Sequence, residues 1–109
     1  MINAIMYRYK QNRFQQLRGF CYAASSGSIS KAAKRMNLSQ PAVSQQILSL
    51  ESELHTTLFL RRGSHMSLTH DGELLLEMAL PLIEELEHLD EKFRQRRLEI
   101  DEGHIEVAA

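Results

Sequence analysis

The sequence has little cysteine and no long apolar run, and these two absences limit the class of protein. Its single cysteine, Cys21, cannot form an internal disulfide bond, which agrees with a reducing compartment. The longest apolar stretch, Leu74–Ile83, contains a glutamate and a proline and is far shorter than the roughly 20 residues of a membrane span. Residues 1–10 lack the continuous apolar core of a signal peptide. We therefore expect a cytoplasmic protein with no membrane partner.

Residue types that carry catalysis or bind metals are too sparse or badly placed for either role. The five histidines are dispersed, so we expect no metal and no cofactor in this chain. Ser67, His70 and Asp71 are the residue types of a catalytic triad, but neighbours at a helix start cannot face one another as that chemistry requires. The prediction is that the chain is not an enzyme. Cys21 lies in an apolar stripe, which predicts a core residue, with a redox sensor as the alternative.

Acidic residues are missing from the first part of the chain, where none precedes Glu51. Residues 1–62 carry nine basic and two acidic side chains, whereas residues 63–109 carry four basic and twelve acidic ones. The net charge of -1 hides this division. A basic half favours nucleic acid as the partner, with an acidic protein surface as the alternative.

Apolar spacing predicts two helices before a tight turn. The stripe Phe14–Ala24 indicates a first helix that ends at Ser25–Gly27. A short second helix is predicted over Lys31–Met36, with Ser30 as its N-cap and Asn37 at its end.

A third helix follows, with Ser39 as N-cap and Pro41 in its first turn. Its predicted buried face consists of Val43, Ile47, Leu50 and Leu54. The opposite face is uncharged and hydrogen-bonding, and consists of Pro41, Ala42, Gln45, Ser49 and Ser52, flanked by Ser44 and Gln46. Such a face is typical of a helix that reads base edges in the major groove, whereas a helix in a plain bundle normally has a charged outer face.

The second half predicts a hairpin and a long helix. Strands over Leu58–Leu60 and Met66–Leu68 enclose a basic tip at residues 61–65. Thr69 caps a helix from about Asp71 to Glu99 with apolar residues at alternating spacings of four and three, which predicts pairing of two copies, with packing on its own domain as the alternative. Pro81 predicts a bend, with two separate helices as the alternative.

The two ends of the chain fall outside this pattern. Residues 1–12 form an extension, either an arm on DNA formed by residues 7–10 or a frayed end. Residues 100–109 alternate apolar and polar side chains from His104 to Val107, which predicts the first strand of a further domain that this chain does not contain.

The order and spacing of these motifs resemble the amino-terminal domain of LysR-type transcriptional regulators. The resemblance covers Leu17–Glu73 and rests on five segments: Gly27–Ala33, Leu38–Ile47, Leu50–Leu54, Leu58–Arg61 and Leu68–Gly72. It implies a mainly α fold, a winged helix-turn-helix of three helices and a two-stranded β-hairpin wing at residues 13–69. A long dimerisation linker helix at residues 70–99 would follow.

The resemblance also implies sequence-specific binding of double-stranded DNA, at an operator expected to be an inverted repeat. Gln45 and Ser44 are predicted to read bases, and Lys31 and Arg61 to anchor the phosphate backbone and the minor groove. Many family members carry arginine where this chain has Gln45. The predicted DNA-binding residues are Ser30, Lys31, Ser39, Gln40, Pro41, Ala42, Ser44, Gln45, Ser49, Arg61 and Arg62.

The linker helix of such proteins pairs antiparallel with that of a second copy, although the apolar spacing alone suits either direction. The predicted homodimer residues are Leu75, Ala79, Leu82, Leu86, Leu89 and Phe93. The resemblance further implies a small-molecule effector bound by a larger carboxy-terminal domain, and RNA polymerase as a partner.

Overall fold

The structure is a computed structural model that describes the backbone of residues 2–62 and 65–108 and the side chains of residues 13–62 and 66–100. Within those residues the elements are α1 Ile2–Ser26, α2 Ile29–Met36, α3 Gln40–Leu54, β1 Phe59–Arg62, β2 His65–Leu68 and α4 His70–Ala108. Three helices, an antiparallel hairpin and a long helix are the predicted architecture, which is confirmed.

α1 is longer than expected, because its backbone is helical from Ile2 to Ser26. Residues 1–12 contain no glycine or proline to stop a helix, so the extension continues α1 instead of forming a separate segment. The side chains of residues 7–10, a candidate arm on DNA, lie outside the described ones. α1 ends at Ser26, and the next residue, Gly27, has a φ of 68° in the left-handed region that glycine adopts without strain.

The N-cap of α2 is Ser28, so the expectation for Ser30 is wrong. Ser28 has extended backbone angles, and its Oγ accepts a hydrogen bond from the backbone N–H of Lys31 at 3.1 Å. Because the chain leaves α1 at Gly27, the next residue is already placed to begin α2, and Ser30 lies within its first turn. The predicted end at Asn37 is confirmed by its left-handed φ of 55°.

The wing is a longer ladder than the sequence predicts. β1 and β2 pair from Phe59 with Leu68 to Arg62 with His65. Arg61, Arg62 and His65 therefore belong to strands and not to the tip, which leaves two connecting residues outside the described ones. A two-residue connection allows every backbone group up to the turn to pair across the hairpin.

The core lies where α1, α3, the wing and α4 meet. Phe20 is fully buried, and its ring is tilted at 54° to that of Phe59, with centroids 5.4 Å apart. Around this pair lie Ile47 and Leu50 of α3, Leu58 before β1, and Ile83 of α4, all fully buried. Each such side chain contributes about 1.5–3 kcal/mol of hydrophobic stabilisation, so the core fixes α3 and α4 relative to the wing.

α4 is one continuous helix through Pro81, so the alternative of two helices is wrong. Pro81 is exposed, on the side away from the core, where water can satisfy the carbonyl that loses its backbone partner. The expected strand at residues 100–109 is also wrong, because the backbone is helical to Ala108. A helix pairs its backbone groups locally, whereas a lone strand has no neighbour with which to pair.

α4 has two apolar faces, where the sequence predicts one. Ala79 is only 3% exposed and packs with Ile83 in the core of its own domain, so the prediction that it lies at a dimer interface is not supported. Leu75 is partly buried against the same core. A second face remains exposed along the helix, and we call it the α4 stripe: Leu82, Leu86, Leu89 and Phe93. In the part of the chain that the structure describes, no helix has the length and apolar character to cross a membrane.

Candidate nucleic-acid interface

The amino-terminal half of α3 is held by a cap and by its apolar face. Ser39 Oγ accepts a hydrogen bond from the backbone N–H of Ala42 at 3.2 Å, which confirms the predicted N-cap. Val43 and Ile47 are fully buried, so the opposite side of α3 points away from the core. The core and the cap together hold this outward face in one orientation.

The outward face of α3 presents uncharged polar groups. Gln45 is exposed, and its Nε2 donates to the Oγ of Ser49 at 3.3 Å. A glutamine amide offers one donor and one acceptor side by side, which matches the N6 and N7 groups of adenine in the major groove. None of the predicted residues of this face is buried: Ser39, Gln40, Pro41 and Gln45 are exposed, and Ala42, Ser44 and Ser49 are partly exposed.

Gln46 is turned away from this face. Its Oε1 atom is buried without a hydrogen-bond partner, and a Cβ at Gly19 would lie 3.0 Å from it. α1 and α3 therefore approach closely at Gly19, and Gln46 fills the space between them. The sequence places Gln46 at the edge of the outward face, and its packing against α1 agrees with its omission from the predicted DNA-binding residues.

The start of α2 presents a basic and a hydroxyl side chain and no acidic one. Lys31 is exposed and Ser30 is partly exposed in its first turn. Neither α2 nor α3 has an acidic residue in its first turn. The free backbone N–H groups and the positive dipole end of such a helix favour phosphate.

The wing brings two exposed arginines to the end of β1. Arg61 pairs with Met66 and Arg62 with His65 across the hairpin. Successive residues of a strand point to opposite faces, so Arg61 and Arg62 do not act as a pair on one surface.

Both acidic residues of the basic half are hydrogen-bonded within the domain. Glu51 accepts hydrogen bonds from the backbone N–H groups of Leu58 at 2.6 Å and Phe59 at 3.3 Å. Glu53 pairs with Arg13 at 3.3 Å and accepts from Gln16 Nε2 at 2.7 Å. Both carboxylates are held within the domain, and the exposed basic side chains, Lys31 and Arg61 among them, outnumber them and make the local electrostatic potential positive.

The role of Glu51 is absent from the expectations drawn from the sequence. Its signal is faint: it is one of two acids in residues 1–62, and it lies seven residues before the wing. Glu51 can reach the wing only because the chain reverses direction after α3, which the left-handed backbone of His55 permits.

Of the serine, histidine and aspartate that suggest a triad, Ser67 lies in β2, and His70 and Asp71 begin α4. Thr69 Oγ1 accepts from the N–H of Gly72 at 2.9 Å and donates to the carbonyl oxygen of Thr57 at 2.6 Å, so it is the N-cap of α4, as predicted. The carboxylate of Asp71 is hydrogen-bonded to Thr56. Among the described residues no group of three or more histidines, cysteines or carboxylates could hold a metal ion.

The three helices, the hairpin and the polar outward face define a winged helix-turn-helix protein with a long following helix. The family model described as "Bacterial regulatory helix-turn-helix protein, lysR family" matches residues 14–73. The chain is also similar to the CbnR DNA-binding domain in a crystal structure of its complex with DNA. The sequence identity is 32% and the TM-score is 0.63, and the match covers 77% of this chain and 97% of that one.

Two curated relatives are also named as helix-turn-helix transcriptional regulators. The chain is 42% identical over 71 residues to an uncharacterized HTH-type transcriptional regulator in the ibpB-leuC intergenic region of Azotobacter vinelandii, which covers 65% of this chain and 49% of that protein. It is 38% identical over 92 residues to the HTH-type transcriptional regulator ClcR of Pseudomonas putida, which covers 84% of this chain and 30% of ClcR. The chain belongs to the LysR family of bacterial helix-turn-helix regulators. It spans less than half the length of these relatives.

Proposed function

We propose that this chain is the DNA-reading part of a transcription regulator that binds an inverted-repeat operator as a homodimer. The observation that carries the proposal is the outward face of α3, where exposed Gln45 lies on a rigid helix among uncharged polar neighbours. Gln45 and Ser44 read bases, while Lys31 and Arg61 contact the phosphate backbone and the minor groove. A DNA complex of a related domain supports the same partner for this chain.

The α4 stripe supports pairing through the linker helix. Leu82, Leu86, Leu89 and Phe93 are all exposed on one side of a helix that projects beyond its own domain. In an antiparallel pair centred between Glu87 and His88, Leu86 meets Leu89 of the partner subunit and Leu82 meets Phe93 of the partner subunit. All such layers are apolar on both sides, as they would also be in a parallel pair, so the apolar packing supports pairing in either direction.

Charges beside the stripe favour the antiparallel direction. Residues on the same flank of two antiparallel helices face each other, which brings Glu85 opposite Lys92 of the partner subunit, twice per dimer. In a parallel pair Glu85 faces Asp90 of the partner subunit, and Lys92 faces Arg97 of the partner subunit. Both of those pairs are like-charged, so the parallel arrangement is disfavoured.

The remaining functions belong to the whole protein. We assign small-molecule effector binding to a further domain, because the chain spans only 49% and 30% of two curated relatives. Contact with RNA polymerase would translate DNA binding into regulation, in the cytoplasm at the nucleoid. We propose no catalytic role, which agrees with the regulators to which the chain is related.

Selection of binding sites from random duplex DNA tests the proposal, followed by affinity measurements at 50 mM and 200 mM salt. We expect enrichment of an inverted repeat and a steep loss of affinity with salt, since each neutralised phosphate contributes about -0.9 to the log-log slope. Arg61→Gln should make that slope shallower by about 1, whereas Arg94→Gln on exposed α4 should not. Absence of both enrichment and salt dependence would refute DNA binding and favour a protein partner.

A further inference from the structure

Glu87 is the last described residue through which α4 is attached to its own domain. Ile83, one turn earlier, is buried in the core, and Glu87 is partly buried. From His88 to Ile100 every residue of α4 is exposed. Beyond the core contacts of Ala79 and Ile83, the contacts at Glu87 are therefore the last support for the direction in which the free part of the helix leaves the domain.

Glu87 is held by one residue from α1 and one from α2. The hydroxyl of Tyr22 donates to Glu87 Oε1 at 2.5 Å, and Nη2 of Arg35 donates to Glu87 Oε2 at 2.8 Å. The Arg35 guanidinium also lies over the Tyr22 ring, 4.3 Å from its centre. We call these three residues the Tyr22–Arg35–Glu87 cluster. Each carboxylate oxygen has its own donor, so the carboxylate cannot rotate without losing one of them.

The surroundings keep the Glu87 carboxylate ionised and the Tyr22 hydroxyl protonated. The Tyr22 hydrogen bond, opposed by partial burial and aided by Arg35, lowers the pKa of Glu87. Burial and the bond to Glu87 raise the pKa of Tyr22, which keeps its hydroxyl a donor. Tyr22 itself is only 5% exposed, so packing in the core holds its hydroxyl in place.

An open cavity of about 520 Å³ borders the cluster between α4 and the domain, with Arg18 and Leu86 among the residues that line it. No packed apolar layer fills that space, so the hydrogen bonds to Glu87 oppose a tilt of α4 toward it. The free helix from Glu87 to Ile100 is roughly 20 Å long at 1.5 Å per residue. A tilt of about 10° would move its end by about 3–4 Å, which is the rise of one base pair.

We propose that the Tyr22–Arg35–Glu87 cluster sets the angle between the DNA-binding domain and α4, and with it the half-site separation that the dimer can read. This inference rests on the proposed homodimer, in which Leu86 and Leu89 flank the cluster on the α4 stripe. Tyr22, Arg35 and Glu87 are positioning residues that need not touch DNA. Without them the two domains occupy a range of separations.

Distances between nitroxide labels, measured by pulsed electron spin resonance on the free protein, test this inference without an operator. Ser52→Cys labels α3 and reports the separation of the two domains, and Glu84→Cys labels α4 and reports the helix pair. Both positions are exposed, and native Cys21 is fully buried, so only the introduced thiols react. The chain is then compared with Tyr22→Phe, Arg35→Gln and Glu87→Gln.

We expect these variants to broaden the Ser52 distance distribution at least twofold while the Glu84 distribution stays unchanged. Arg35→Gln changes a side chain that is 60% exposed, so we expect this variant to fold as the native chain does. Glu91→Gln is the matched control, since it breaks the exposed pair with Arg94 on the free part of α4 and should leave both distributions unchanged. Equal Ser52 widths in all variants with an intact Glu84 distance would overturn this inference alone. Absence of any Glu84 distance would overturn the dimer and this inference with it.

Discussion

The carboxylate of Glu51 accepts a hydrogen bond from the backbone N–H of Leu58 at 2.6 Å, which ties the end of α3 to the start of the wing. Because the acceptor is charged and partly buried, Glu51→Gln should lower the free energy of unfolding by about 1.5–3 kcal/mol. Urea denaturation measures this loss. Glu77→Gln, at an exposed position of α4, should change stability by less than about 0.5 kcal/mol, and an equal effect of the two variants would contradict the assigned role of Glu51.

Gly72 is required by close packing and not by an unusual backbone. A Cβ there would collide with the carbonyl oxygen of Leu58 and approach Leu68 Cδ2 at 3.0 Å. Helix propensity alone predicts that Gly72→Ala stabilises the protein by about 1 kcal/mol, whereas the packing predicts a loss of about 1–3 kcal/mol. The sign of the change in the midpoint temperature of thermal denaturation decides between the two predictions. Gly27→Asn is the control, because Gly27 has open space around it and asparagine tolerates its left-handed φ.

Much of the domain follows from local signals in the sequence. Ser39, Asn37 and Thr69 act at helix ends as predicted, because caps depend on backbone geometry within a few residues. The outward face of α3 follows from the buried stripe that includes Val43 and Ile47, since one face of a helix determines the other.

The features that could not be predicted depend on tertiary partners. Periodicity marks Leu82 and Ala79 as one seam, but Ile83 and Ala79 face the core while Leu82 remains 64% exposed. The two apolar faces of α4 lie about 100° apart around the helix axis. The sequence alone does not distinguish the face that packs on the core from the face that stays exposed. Tyr22 and Glu87 are 65 residues apart, and nothing in either local sequence announces their hydrogen bond.

Cys21 should be chemically inert in the folded protein. Burial, followed by the charges of Glu84 and Glu87, raises the pKa of its thiol from the usual 9.0 to about 12. At pH 8 we expect no reaction with a disulfide reagent until the chain unfolds, whereas Ser25→Cys, at an exposed position, should add one thiol that reacts at once. Rapid labelling of the unmodified chain would restore the redox-sensor alternative.

The same raised pKa predicts a loss of stability at alkaline pH. The thiol ionises near pH 9 in the unfolded chain but only near pH 12 in the folded one. Its contribution to the stability of the folded state is therefore complete below about pH 9 and is lost as the pH rises toward 12. The stability advantage of the native chain over Cys21→Ala should therefore shrink between pH 8 and pH 11. A constant difference between the two unfolding free energies would contradict the assignment.

The direction of α4 pairing can be tested by charge reversal. If the helices are antiparallel, Glu85→Lys places like charges opposite Lys92 of the partner subunit and weakens the dimer, and adding Lys92→Glu restores it. If they are parallel, Glu85→Lys relieves repulsion from Asp90 of the partner subunit and strengthens the dimer. Sedimentation equilibrium at low salt distinguishes the two. Leu86→Glu with Leu89→Glu should give a monomer in either case.

Base reading by Gln45 is tested by comparing the affinities of the native chain and of Gln45→Ala for a selected operator and for a shuffled duplex of equal length. If Gln45 reads a base from the outward face of α3, the variant should lose about 1–3 kcal/mol on the operator and much less on the shuffled duplex. Gln95→Ala, at an exposed position of α4, should change neither affinity. Equal losses on both duplexes, or none on either, would contradict base reading by Gln45.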